Sequence, residues 1–181
     1  MGERRTPVVA AVVVALVVGV VAWLLLRGDD EQHPGQGHAA RTLSPRLVSP
    51  DQLKTYAAAG GPIYWAGTRQ GTLLEFSRRP NGAFVRYLPG RAEAGDKRAR
   101  LTVGTYALRS ALAAVSRSGH AKGARLTRLP RGGVAVTNAA RPTNAYFAYP
   151  GRAVQVEVFD PHPGRALALI RAGRIVPLAT R

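Results

Sequence analysis

Three textures follow one another along the chain. Residues 8–26 read VVAAVVVALVVGVVAWLLL, 19 positions without a charge or a side-chain hydrogen-bonding group other than the Trp23 indole. As a helix rising 1.5 Å per residue, this stretch covers roughly 28 Å, about the hydrocarbon thickness of a bilayer, and it predicts a transmembrane helix. A helix buried in a soluble core is seldom apolar all round for so long. Residues 27–47 then turn polar and rich in Gly, Pro and Gln, the composition of a flexible linker. From residue 48 onward the short periodicities of a folded domain take over.

In that domain Ser49-Pro50-Asp51-Gln52 predicts a helix start: a serine cap, a proline at the first position and a glutamine three after the cap. The helix is expected to run to Ala59 and stop at Gly60-Gly61-Pro62. Strands are expected over 63–66, 72–77 and 83–88, the last two joined by a hairpin loop, Arg78-Arg79-Pro80-Asn81-Gly82, that carries Asn-Gly. A polar loop over 89–99 leads to a strand over 101–108. Leu108, Leu112 and Val115 return to helical spacing before Gly119. Strands follow over 124–129, 134–137 and 145–149. Over 153–159, Val154, Val156 and Val158 alternate with Gln155 and Glu157 and predict a strand with one apolar and one polar face. Pro163 opens a last helix ending at Gly173, and 175–178 is expected to pair at a sheet edge. The fold class is α+β, one antiparallel or mixed sheet with two or three short helices, behind one N-terminal transmembrane helix.

Charge changes this picture. There are 26 Lys plus Arg against 10 Asp plus Glu, and only Lys54, Lys97 and Lys122 are lysines. Between Arg41 and Arg181 stand 23 basic and 6 acidic residues, a net of +17. Such a field favours acidic partners such as nucleic acid, anionic lipid or a cell-wall polymer; with the membrane anchor, the expected partners are anionic lipid, a cell-wall polymer or an envelope protein, and not nucleic acid. Arginine-rich composition also arises from GC-rich coding without any ligand. Cysteine is absent, which excludes disulfides, a thiol nucleophile, cysteine-held metal clusters and a lipidated cysteine.

Arg4 and Arg5 precede the apolar segment, while Arg27 and then Asp29, Asp30 and Glu31 follow it. Positive flanks stay cytoplasmic, so the expected organisation is a short cytoplasmic N-terminus over 1–7, an anchor over 8–26, a linker over 27–47 and a basic extracytoplasmic domain over 48–181. A cleaved signal peptide competes, but its apolar core is usually roughly 7 to 15 residues long, and residues 27–31, Arg-Gly-Asp-Asp-Glu, offer no small-x-small site directly after the apolar segment.

Little in the domain announces chemistry. Its histidines are His120 and His162, and Asp160-Pro161-His162-Pro163 describes a strand-to-helix connection as well as it describes a catalytic pair. No phosphate-binding glycine loop, nucleophile elbow or paired-histidine metalloprotease motif occurs, so no catalytic, cofactor or metal residue is assigned. In the linker, His33 and His38 lack the rigid companions that a metal needs. The candidate polyanion contacts are Arg78 and Arg79 in one loop and Lys97, Arg98 and Arg100 in the next, provided that both loops leave the same end of the sheet.

The runs Pro62-Ile63-Tyr64-Trp65-Ala66-Gly67, Val85-Arg86-Tyr87-Leu88-Pro89 and Leu101-Thr102-Val103-Gly104-Thr105-Tyr106, with residues 154–161, resemble a family of uncharacterised single-pass membrane proteins from high-GC actinobacteria. The resemblance spans roughly residues 50–178. It implies a membrane topology and a domain extent, and brings no activity. The expected function is a membrane-anchored, non-enzymatic extracytoplasmic binding or assembly module. The competing readings are an envelope hydrolase using His162 or His120 with Asp160, and a cytoplasmic nucleic-acid binder, which the charge flanks of the apolar segment disfavour.

Overall fold

The computed structural model describes residues 42–179. The expected anchor over 8–26, the short N-terminus before it and the linker as far as residue 41 lie outside the described residues. Among the described residues, no helix is long and apolar enough to cross a membrane.

Ser49 caps the first helix as its spacing predicts. Its Oγ accepts from the Gln52 N–H (3.2 Å) and the Gln52 Oε1 accepts from the Ser49 N–H (2.9 Å), which satisfies two helix-start donors reciprocally. The helix, α1, spans Pro50–Gly60 and buries Leu53 and Ala57. One strand precedes it. β1, Leu43–Val48, begins inside the predicted linker, where Ser44 and Pro45 mask any strand signal. The first domain element therefore starts at residue 43, not 48.

β2 (Tyr64–Trp65), β3 (Thr72–Arg79), β4 (Gly82–Pro89) and β5 (Thr102–Ala107) follow. Then come α2 (Ala111–Ser118), β6 (Ala124–Arg128), β7 (Val134–Asn138), β8 (Arg141–Ala148), β9 (Val154–Phe159), α3 (Arg165–Arg171) and β10 (Val176–Pro177). Eight strands form one antiparallel sheet in the order β1-β3-β4-β5-β9-β8-β7-β6. It is two meanders joined where β5 pairs with β9, and α2 makes the crossing from β5 to the far rim. This is a mostly-sheet α+β domain with three helices among the described residues. β10 does not extend that sheet as expected: it pairs with β2 in a separate two-stranded ribbon.

The two faces differ in what covers them. On one, α1, α3 and the β2–β10 ribbon bury Phe76, Val85, Val103, Phe147, Val156 and Val158 in the main core. Full burial of each such side chain contributes roughly 1.5–3 kcal/mol relative to exposure. On the other face, α2 packs Ala111 and Val115 against Val136 and Ala148. The valine-glutamine-glutamate alternation of β9 is present, but its polar side is also covered: Gln155 and Glu157 are each 4% exposed.

Tyr106 lies flat on that second face, above two glycines. A Cβ on Gly82 would come 2.9 Å from both the Thr105 carbonyl oxygen and Tyr106 Cδ1, and one on Gly104 would come 3.1 Å from the Tyr106 hydroxyl. The missing side chains make the bed for the ring, which meets Phe84 edge-on at 5.6 Å. Gly82→Ala should therefore destabilise the domain by about 1–3 kcal/mol through overpacking against backbone. Thermal unfolding of the purified protein checks it, and an unchanged or raised midpoint would refute the packing account.

Candidate binding surfaces and the buried carboxylates

The two loops proposed to combine their cations flank one strand, β4. Loops at the two ends of a single strand leave opposite ends of a sheet, and an eight-residue strand sets their points of departure roughly 20 Å or more apart. The required common end does not exist. Moreover, β3 runs through Arg79, so Arg78 and Arg79 belong to the strand and not to the turn.

Alternation then sends these two arginines to opposite faces. Arg78 is 5% exposed and lies against α1, where its guanidinium donates to the carbonyls of Gly60 and Tyr56 (3.1 Å to the latter) and sits 5.7 Å from the centre of the Phe76 ring. It satisfies the orphan carbonyl of Gly60 and adds a donor to that of Tyr56 one turn earlier, at a helix C-terminus that also favours a cation electrostatically. Burial lowers its pKa from the usual guanidinium value. Arg78 is thus a helix cap, and it drops out as a polyanion contact. Arg79 is exposed on the other face, 5.5 Å from the centre of the Phe84 ring.

The loop holding Lys97, Arg98 and Arg100 folds back over the second face. Its anchor is a pair that the sequence reading passed over. Glu75, 1% exposed, and Arg86 stand opposite each other on β3 and β4 and bond at 2.6 Å. The other Glu75 oxygen accepts from the Gly95 N–H, and Arg86 donates to the carbonyls of Asp96 (2.7 Å) and Arg98 (3.0 Å). Asp96 lies 3.7 Å from both Arg98 and Arg100. The Arg98 N–H holds the Asp96 carboxyl below the usual carboxylate range against some desolvation, and Arg98, Arg100 and Arg86 add to the effect. Within this loop Lys97 and Arg98 are exposed, whereas Arg100 is 26% exposed.

Glu157 occupies the middle of the sheet. Across the second face the register runs Ser77, Phe84, Gly104, Glu157, Tyr146, Val136 and Leu126. Oε1 accepts from Asn144 Nδ2 and the Tyr146 hydroxyl, and Oε2 accepts from the Tyr106 hydroxyl, all at 2.8 Å. A buried carboxylate is costly unless its lone pairs are filled, and here three neutral donors fill them. Burial first, and then the Glu157 charge, push the Tyr106 and Tyr146 hydroxyls far above their ordinary value. Under the opposite face, the Tyr87 hydroxyl accepts from the Ala66 N–H (2.6 Å) and donates to the Gly67 carbonyl (3.1 Å). Its pKa is pushed up to about 12 by burial, against the lowering by the Ala66 N–H and Arg69.

The Asp160–His162 arrangement is a local turn. Asp160 Oδ1 accepts from the His162 N–H at 3.0 Å and faces His162 Nδ1 at 3.0 Å, while Arg165 Nε is 3.9 Å from Oδ2. The His162 side chain is 70% exposed, and no hydroxyl hydrogen-bonds it among the described residues. His120 lies in the separate turn after α2. Compared with protein-family models, curated proteins and solved structures, the chain matches none.

Two outcomes follow. Arg78→Ala strips a partner from the α1 carbonyls and should cost about 1–3 kcal/mol in denaturant unfolding while leaving polyanion binding unchanged; a loss of binding without a loss of stability would return Arg78 to the surface role. Tyrosines with raised pKa stabilise the fold below their unfolded value, near 10, and that contribution is lost as pH rises through the folded value. For Tyr87 alone the loss should reach about 2–3 kcal/mol between pH 10 and 12, with Tyr106 and Tyr146 adding to it. Urea midpoints that stay flat across that window would contradict the assignment.

Proposed function

We propose that this protein is a membrane-tethered, non-enzymatic module that holds an acidic partner outside the cytoplasmic membrane. The observation that carries the reading is the placement of the few acids. Glu75, Glu157 and Asp160 are buried; Asp51 pairs with Lys54, and Asp96 with Arg98 and Arg100. Of the six acidic residues in the domain, Glu93 alone is exposed and takes part in no ion pair among the described residues. Exposed arginines therefore dominate the surface field, which attracts acidic ligands over a Debye length of about 10 Å at 0.1 M salt.

The greasy segment over 8–26 supports the tether, and Arg4 and Arg5 support the outward orientation. Membership of the actinobacterial single-pass family it resembles is part of the same proposal. Full-length protein in nanodiscs of neutral lipid, titrated with poly-L-glutamate and with phosphatidylglycerol vesicles, tests the reading. Affinity should fall about tenfold or more between 50 and 500 mM NaCl, because surface charges are screened there. Equal affinity at both salts, or no binding at either, would defeat it.

A further inference from the structure

The sheet has two rims, and they are built differently. β1, at one rim, shifts register between Leu43 and Arg46 and holds Pro45 in the shift. A proline has no N–H to offer and a bulge turns the edge away, the usual protections against a further strand. β6, at the other rim, pairs with β7 from Ala124 to Arg128 without a shift, and it contains neither proline nor glycine. Two bonds set its phase. The Leu129 N–H donates to the Gly133 carbonyl (2.8 Å) and the Ala139 N–H donates to the Gly123 carbonyl (2.9 Å). Residues 123, 125, 127 and 129 thus turn their backbone toward β7, so Leu126 and Arg128 turn theirs outward.

Side chains add a charge to this open edge. Arg125 and Arg128 on β6, Lys122 before it and Arg131 after it are all exposed, and none takes part in an ion pair among the described residues. Leu126, between the two strand arginines, is 38% exposed. A second copy of this chain is a poor occupant: antiparallel pairing of β6 with β6 about Leu126 sets Arg125 opposite Thr127 but diagonal to the other copy's Arg125, and it gathers the cations of both rims along one seam with no acid on either strand to offset them. Lipid and carbohydrate polyanions satisfy the cations but have no peptide ladder to match the Leu126 and Arg128 backbone groups.

We propose that β6 is the docking edge for an extended, Asp/Glu-rich segment of a partner polypeptide, which adds as a ninth strand. Its main chain pairs with the outward N–H and C=O groups of Leu126 and Arg128, and its carboxylates meet Lys122, Arg125, Arg128 and Arg131. The inference rests on the acidic-partner reading and narrows it to a polypeptide and an edge.

Arg125 and Arg128 project from opposite faces of β6, so the test uses the full chain in neutral nanodiscs and two synthetic peptides of Glu-Glu-Val repeats, which carry Glu on both faces, identical except that one is N-methylated at every second residue on the pairing side. Fluorescence anisotropy should give about tenfold or weaker binding for the methylated peptide, which keeps its charges and loses its ladder. Leu126→Pro removes an outward N–H that β7 does not use, and it should weaken the unmethylated peptide similarly while leaving the affinity for phosphatidylglycerol vesicles unchanged. Arg125→Glu with Arg128→Glu should weaken the peptide and reduce its salt dependence. Equal binding of the two peptides by the unmutated protein overturns the edge, whatever the proline variant does. Should those equal affinities still fall with salt, the acidic-partner reading survives alone; if neither peptide, poly-L-glutamate nor vesicles bind, both readings fall.

Discussion

The central strand of this sheet carries an acid on a buried face, and much of the second face is arranged to tolerate it. An uncompensated carboxylate in such a place would cost several kcal/mol. Tyr106, Tyr146 and Asn144 supply three donors from the strands on either side of β9, so the acceptor set of one residue ties β5, β9 and β8 together. β5–β9 is also the seam between the two meanders. A one-residue slip there would turn Glu157 into the apolar face and leave three donors unpaired, so the network specifies register as well as contributing stability. Gly82 and Gly104 belong to the same device, because only residues without a Cβ let the Tyr106 ring lie flat enough to reach the acid.

Glu75 repeats the solution by a different chemistry. It stands opposite Arg86 and binds the 89–101 loop through the Gly95 N–H, so a charge pair replaces the tyrosines where the loop comes close enough to shield it. The second face is thus closed at one end by a loop held by Arg86 and at the other by α2. Cations are divided between these tasks and the surface. Arg78 and Arg86 are structural, and Arg100 is mostly covered, while the β6 rim's cations form no ion pair among the described residues.

How much of this could be read from residues alone depends on how local the physics is. The Ser49–Gln52 capping box, the hairpin marked by Asn81-Gly82 and the helix around Leu112 and Val115 rest on neighbours a few positions apart, and each forms, though the hairpin turn narrows to Pro80-Asn81 between Arg79 and Gly82. β1 escaped notice because its strand character comes from pairing with β3, against the local evidence of Ser44 and Pro45. β10 found its partner in β2, with Val176 opposite Trp65 and Pro177 opposite Tyr64, more than a hundred positions earlier in the chain. The polyanion set failed on topology that was in fact available: loops flanking one strand cannot share an end. For Arg78, period-two alternation through the end of β3 was the missed signal, since it places that residue on the same side as Phe76. Glu157 carried no local mark at all, because its partners come from two other strands.

Composition by itself leaves the basic surface ambiguous, since GC-rich coding turns lysines into arginines with no ligand in view. That explanation acts on which cation is used, and it has no hold on where the acids go. Here five of the six acids in the domain are withdrawn into the sheet, into loop anchors or into local pairs, while one rim strand holds cations whose outward backbone groups pair with no strand among the described residues. Lys or Arg at a bare edge also serves simply to repel other strands. The two uses are distinguishable by the rest of the rim. An edge guarded only against pairing gains from a proline or a bulge, as β1 shows, and β6 has neither. Its cations repel copies of itself and leave the ladder intact for a strand of opposite charge, which makes the edge selective rather than closed.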